Sequence, residues 1–288
     1  MPETLLYTST PPALLPLYGL VLTARRARPD RNTVLPDLQA ELRGVSTGGE
    51  MLTAYRDLCD FDHGSHLPVT WPHVLAFPLH LRLLTEPAFP LPLLGLVHLR
   101  NSITQHRPLA VGENLDLRVR LGQREITKRG LEFDLITEAV SAGQCVWEES
   151  STTLFRMPND DASGAAPGAV KPLEHSETIH TPENIGRRYA KVSGDRNPIH
   201  LYALSARAFG FPRAIAHGMW SMARSLAVLQ EQPEWRAGGF RVDCQFKKPL
   251  FLPGQARLQW QFQETGGDYQ LLNADADAPH LSGRIEWL

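Results

Sequence analysis

Two short strings in the second half of the chain carry residue types suited to proton transfer. Ser193-Gly194-Asp195-Arg196-Asn197-Pro198-Ile199-His200 sets a carboxylate and an imidazole five residues apart, and His217-Gly218-Met219 follows after sixteen more. A carboxylate and an imidazole held together form a general acid/base pair, one group accepting a proton while the other donates. The first string also has a purely structural reading. Asp195, Asn197 and Pro198 are ordinary turn formers, an Asp ahead of a helix is often only a cap, and a lone His200 is more often packed than catalytic. The second string adds weight, because Met219, Trp220, Met222, Ala223, Leu226, Ala227 and Leu229 cover most of a helix circumference. They predict a buried helix from Ala216 to about Leu229. Gly218 lies in its first turn, where N–H groups lack intrahelical acceptors and the dipole favours negative charge. Without a Cβ, that residue also admits a substrate close to the backbone.

The elements that must position these residues follow from the punctuation. Thr181-Pro182-Glu183 reads as a helix start, with Thr capping and Pro in the first turn, and the helix should run to about Val192. Residues Ala203 to Phe209 suggest a short helix ended by Gly210. Gln232-Pro233 stops the buried helix, and strands are expected near Phe240 to Lys247, Gln255 to Glu264, Tyr269 to Ala274 and Leu281 to Trp287. A buried helix followed by an antiparallel meander implies an α+β arrangement, a sheet curled around that helix.

The 288 residues allow one large domain or two smaller ones, and 42% hydrophobic with 21% charged content is ordinary for a globular chain. A net charge of -2 leaves no overall electrostatic footprint for nucleic acid or an acidic membrane. Cys59, Cys145 and Cys244 are too scattered for a disulfide framework or a paired-Cys metal site, and a reducing cytoplasm suits them. The apolar stretch Ala13 to Leu22 is too short to span a bilayer and has its arginines after it, unlike a signal peptide, so it reads as a packed N-terminal extension. Residues 157–176 have a linker composition. The halves on either side share features: Leu67-Pro68 precedes His73 as Phe211-Pro212 precedes His217, Arg107-Pro108-Leu109 matches Lys248-Pro249-Leu250, and Tyr55 and His66 keep the spacing of Tyr189 and His200. An internal duplication is expected.

Together, YAKVSGDRNPIH, ARAFGFP and IAHGM resemble the hydratase-2 motif of MaoC-like (R)-specific enoyl-CoA hydratases. With LPVTWPHVLAFP and LVHLRNSITQHRPLAVGE in the first half, the similarity extends to double hot-dog 3-hydroxyacyl-thioester dehydratases over about Thr33 to Leu288. The resemblance implies an α+β double hot-dog with an N-terminal extension (1–32), a degenerate first repeat (33–156), a linker (157–176) and a catalytic second repeat (177–288). It implies reversible dehydration of (3R)-3-hydroxyacyl thioesters to trans-2-enoyl thioesters in fatty-acid metabolism, without cofactor or metal. Asp195 and His200 would hold the departing water, the Gly218 N–H would stabilise the thioester oxygen, and Asn197 would fix the turn. His217 would orient the site, touch the thioester or simply pack.

By the repeat alignment Asp195 corresponds to Phe61 and Gly218 to Val74, so one working site is expected. The residues missing after His66 imply a shortened overhang with room for an acyl tail, near which Phe77, Leu79 and Leu81 either line the space or pack. Asp60, Asp62, His63 and His66 lie close in sequence, yet their spacing does not match a helical His pair and no metal is expected. One of His98, Asn101 and His106 is expected to hydrogen-bond across the two repeats. The substrate carrier, coenzyme A or acyl carrier protein, is left open, with Arg196, Arg213, Lys247 and Lys248 as candidate phosphate contacts. No nucleic acid or membrane insertion is expected, and a monomer or homodimer both fit. Alternatives are a hot-dog thioesterase, against which the Asp195/His200 pair argues, and a non-catalytic acyl-thioester-binding subunit.

Overall fold

The computed structural model describes residues 3–23, 26, 29–157 and 170–288. Most of the linker expected at 157–176 lies outside the described residues. In chain order the elements are β1 (Glu3–Thr8), α1 (Leu14–Thr23), β2 (Leu38–Ser46), α2 (Glu50–Cys59), α3 (Trp71–Thr85), β3 (Leu96–Gln105), β4 (Asn114–Thr127), β5 (Gly130–Ser141), β6 (Gln144–Arg156), β7 (His175–Thr181), α4 (Ile185–Ser193), a 3-10 turn (Pro198–His200), α5 (Ala203–Arg207), α6 (Gly218–Gln230), β8 (Phe240–Phe246), β9 (Gly254–Gln263), β10 (Gly266–Asn273) and β11 (Pro279–Trp287). They form two compact units. One takes residues up to Thr47, Pro72–Asn101 and Gly112–Ala166; the other takes Gly48–Trp71, Ser102–Val111 and Pro167–Leu288.

In the first unit the strands run in the order β1-β2-β4-β5-β6-β3. β1 pairs with β2 in parallel, while β2 with β4, β4 with β5 and β5 with β6 are antiparallel. Leu115, Leu117, Val119, Leu131 and Phe133 form the sheet side of the core, and α3 supplies Val74, Ala76, Leu79, Leu81 and Leu83. Leu79 and Leu81 are thus core residues. Polar groups are buried here too. His73 Nδ1 lies 2.8 Å from a Glu149 oxygen, Asn101 Nδ2 donates to the same carboxylate, His80 Nε2 pairs with Thr137, and His98 with Ser151.

The N-terminal extension is only partly packed. β1 completes the sheet edge, but α1 buries Leu17 alone, because its apolar residues surround the helix and only one side meets the unit.

In the second unit β8-β11-β10-β9-β7 form an antiparallel sheet. α6 lies in its core with Met219, Trp220, Met222, Ala223, Leu226, Ala227, Val228 and Leu229 buried, as its all-round apolar pattern requires. Trp220 Nε1 donates to the Leu58 carbonyl, and Arg224 pairs with Asp60, tying α2 to α6. The strands after α6 fall where the sequence places them. The helix expected from Thr181 instead begins after Asn184, since Thr181 finishes β7, paired with Gly254 of β9. Sheet pairing over seven residues outweighs a local capping signal.

Candidate active site

α4 ends at Ser193, and Gly194 closes it in the left-handed region (φ 80°), returning its N–H to the Ala190 carbonyl. Glycine adopts that conformation without the Cβ penalty that other residues incur. The chain then turns sharply. Asp195 Oδ1 accepts from the Asn197 N–H at 3.0 Å, and the Asn197 side chain caps the 3-10 turn by accepting from the Ile199 N–H. Asn197 therefore fixes the turn, as its type and position suggest.

That turn delivers His200 to a buried position. Its Nδ1 donates to the Ile215 carbonyl at 2.8 Å, an assignment that follows because a carbonyl only accepts. The proton therefore sits on Nδ1, and Nε2 keeps its lone pair. Burial lowers the His200 pKa below the ordinary histidine value, partly offset by the Asp195 charge and the Ile215 bond. A neutral imidazole with a basic Nε2 results.

His217 is the N-cap of α6. Its Nε2 donates to the Asp195 carbonyl at 3.0 Å and lies 3.8 Å from the Asp195 carboxylate. Its ring stacks on His200 with centroids 3.8 Å apart and meets Tyr189 in a tilted contact at 4.8 Å. Burial, then the neighbouring His200, push its pKa down to about 3. An Asp195 oxygen and one ring nitrogen each of His200 and His217 lie within 4.8 Å of one another. One water molecule bridges polar atoms at such a separation.

Gly218 opens α6, so its N–H precedes any intrahelical acceptor. A Cβ there would lie 3.0 Å from the Phe246 ring, close enough that the ring would have to give way by a few tenths of an ångström. Lys247 and Lys248 follow Phe246 directly and are exposed, as are Arg196 and Arg213.

Comparison with known proteins now bears on this arrangement. Residues 165–275 match the model of the MaoC like domain. Over 279 residues the chain is 32% identical to 3-hydroxyacyl-thioester dehydratase X of Mycobacterium tuberculosis (strain ATCC 25618 / H37Rv), covering 94% of this chain and 98% of that protein.

The chain belongs to the MaoC-like dehydratase family.

The crystal structure of that mycobacterial relative, HtdX, superposes with a TM-score of 0.76 at 31% identity, over 87% of this chain and 100% of its own. A MaoC-like dehydratase from Phytophthora capsici matches in fold, with a TM-score of 0.68 at 18% identity over 88% of this chain and 96% of its own. The architecture is the α+β double hot-dog that the MaoC-like motifs imply.

Sequence reasoning did not single out several residues that shape this MaoC-like site. Gly186 of α4 packs so tightly on the His200 carbonyl that a Cβ would come within 1.9 Å of it. Ile215 supplies the acceptor that sets the His200 tautomer, and Tyr189 packs against the His217 ring. A glycine inside a predicted helix is a signal for Gly186; Ile215 acts through its backbone and leaves none.

The degenerate loop of the first half folds into the second unit. Phe61, aligned with Asp195, is 5% exposed and stacks with Tyr55 at 6.2 Å.

Proposed function

We propose that this chain catalyses the reversible dehydration of (3R)-3-hydroxyacyl thioesters to trans-2-enoyl thioesters, through Asp195 and His200 of the second unit. The observation that carries the reading is the fixed tautomer of His200, Nδ1–H on the Ile215 carbonyl with the lone pair on Nε2, in a ring of which one nitrogen lies within 4.8 Å of an Asp195 carboxylate oxygen. The likeness to a curated 3-hydroxyacyl-thioester dehydratase supports the same activity.

Elimination removes a C2 proton, made weakly acidic by the thioester carbonyl, and the C3 hydroxyl with a second proton. The pair must therefore accept one proton and return one, and the sum of what leaves is water. Asp195 and His200 hold that water between them on one face of the substrate. Negative charge developing on the thioester oxygen is met by the Gly218 N–H and the positive end of α6. His217 holds the Asp195 backbone and the His200 ring in register. Asn197 holds the turn. The first repeat contributes fold and no second working site, since Phe61 and Val74 stand where Asp195 and Gly218 would be needed. The carrier is a phosphate-bearing one, coenzyme A or acyl carrier protein, with Arg213, Lys247 and Lys248 as its contacts.

Purified protein should consume the enoyl absorbance of a trans-2-enoyl-CoA, and Asp195→Asn and His200→Ala should each lower kcat by about 10²- to 10⁴-fold with the fold intact. Folded protein that turns over no chain length, an unimpaired Asp195→Asn variant, or free-thiol release from saturated acyl-CoA in place of hydration would each overturn the assignment.

A further inference from the structure

A cavity of about 410 Å³ lies within the second unit, where the loop around His66, the end of β3 and the end of α6 meet. That volume is in the range of small-molecule sites. No residue of the Asp195–His200 turn lines it, and neither His217 nor Gly218 does. Its apolar lining comes from Phe61, Leu67, Ala227 and Phe240, all buried, and from Trp235. The Trp235 ring meets Phe240 and Trp287 edge to face at 5.0 and 5.1 Å, which holds this wall in place.

The polar lining is rich in acceptors. Gln105 is 5% exposed, and its side-chain oxygen has no hydrogen-bond partner among the described residues. A buried amide oxygen is rarely left without a donor, so Gln105 marks where a ligand N–H belongs. Asp62 and Glu231 add two exposed carboxylates, and α6 ends beside them at Gln230, bringing the negative end of its dipole. Among the described residues no lysine or arginine lines the cavity. Arg56, which is buried, donates to the His66 carbonyl and is outside the lining.

We infer that this cavity binds an organic cation, a primary ammonium on a short apolar body. An ammonium carries three donors and no acceptor, which matches Gln105 and the two carboxylates, while the apolar body meets the Phe61, Leu67 and Phe240 side chains. A phosphate-bearing carrier would face two charges of its own sign. An acyl tail, for which the short loop after His66 suggests room, would leave Gln105 without a donor. The inference stands apart from the hydratase reading.

Calorimetric titration of the full chain with n-hexylammonium, hexan-1-ol and hexanoate tests it. Hexylammonium should bind about tenfold more tightly than hexanol at low salt, and hexanoate more weakly than either. Gln105→Leu should lower hexylammonium affinity by about tenfold while the thermal midpoint holds or rises, because an apolar group of similar shape replaces an unsatisfied one. Glu231→Gln, on the exposed rim, should also weaken binding, and it keeps the test decisive if Gln105→Leu fails to fold. Absence of hexylammonium binding, equal binding of hexanol, preference for hexanoate, or unchanged affinity in a folded variant would each overturn the proposal. Competition between hexylammonium and trans-2-enoyl-CoA would also overturn it, by making the cavity a channel for the acyl tail.

Discussion

His200 and His217 stack at 3.8 Å in a buried site, so protonating either one places a cation where water is scarce. The geometry resolves this by giving each ring a backbone carbonyl to donate to, Ile215 for His200 and Asp195 for His217. Both rings then rest neutral, and His200 keeps its lone pair on Nε2. Because burial lowers the His200 pKa, the acid limb of kcat against pH should have its midpoint below 6.5. The sign follows from the base being active when unprotonated: lowering its pKa extends activity to lower pH. A pH profile on enoyl-CoA measures this, and a midpoint above 6.5 would show that another group sets the limb. Asp195, His200, Asn197 and Gly218 are candidates that residue type and spacing already offer. The partners of the two histidines are not offered in this way, because a backbone carbonyl has no residue identity to read.

At the scale of elements, α4 and the turn from Asp195 to His200 are joined by contact as well as by covalent chain. Gly186 rests against the His200 carbonyl, and Arg187 donates to the Leu201 carbonyl at 3.0 Å. Gly186→Ala meets backbone that cannot rotate aside, so α4 must lift from the turn. The expected result is a loss of about 1–3 kcal/mol in urea unfolding, with a kcat deficit in the protein that remains folded. An Ala variant of native stability and activity would show that α4 is free to shift. Element boundaries after α6 were readable because turn residues and alternation are local signals. The start of α4 was misplaced because β7 claims Thr181 through pairing with a strand about seventy residues away.

The whole molecule buries titratable groups in both units, and they share one direction with pH. Burial, then the nearby His73, hold His80 down at about 3, and His217 is likewise near 3. Burial raises the Glu149 carboxyl, but the His73 charge and hydrogen bond, with His80 and Asn101, outweigh it and hold it at about 2. For the histidines the unfolded chain binds a proton below about 6.5 that the folded chain refuses, so stability present above that pH is lost as pH falls toward 3. For Glu149 the contribution present above about 4.5 is lost as pH falls toward 2. Each such proton costs about 1.4 kcal/mol per pH unit. Denaturant midpoints should therefore fall from about pH 6 downward and more steeply below about 4.5. His80→Gln and Glu149→Gln variants should flatten the upper and lower parts of that decline respectively. A flat midpoint between about pH 6 and 4 would show that these histidines titrate normally.

By itself the sequence determined the string that sets Asp195 and His200 five residues apart, the buried helix after it and the antiparallel meander. All of these are encoded within a few residues, by periodicity, turn formers and motif spacing. Tertiary structure alone decided which tautomer His200 adopts, that His217 stacks on it, that Gly186 supports it and that α1 leaves its leucines outside. It also decided that residues 48–71 of the first half fold with the second unit. Those outcomes depend on which surfaces meet across long stretches of chain, and a surface is assembled only when distant segments pack.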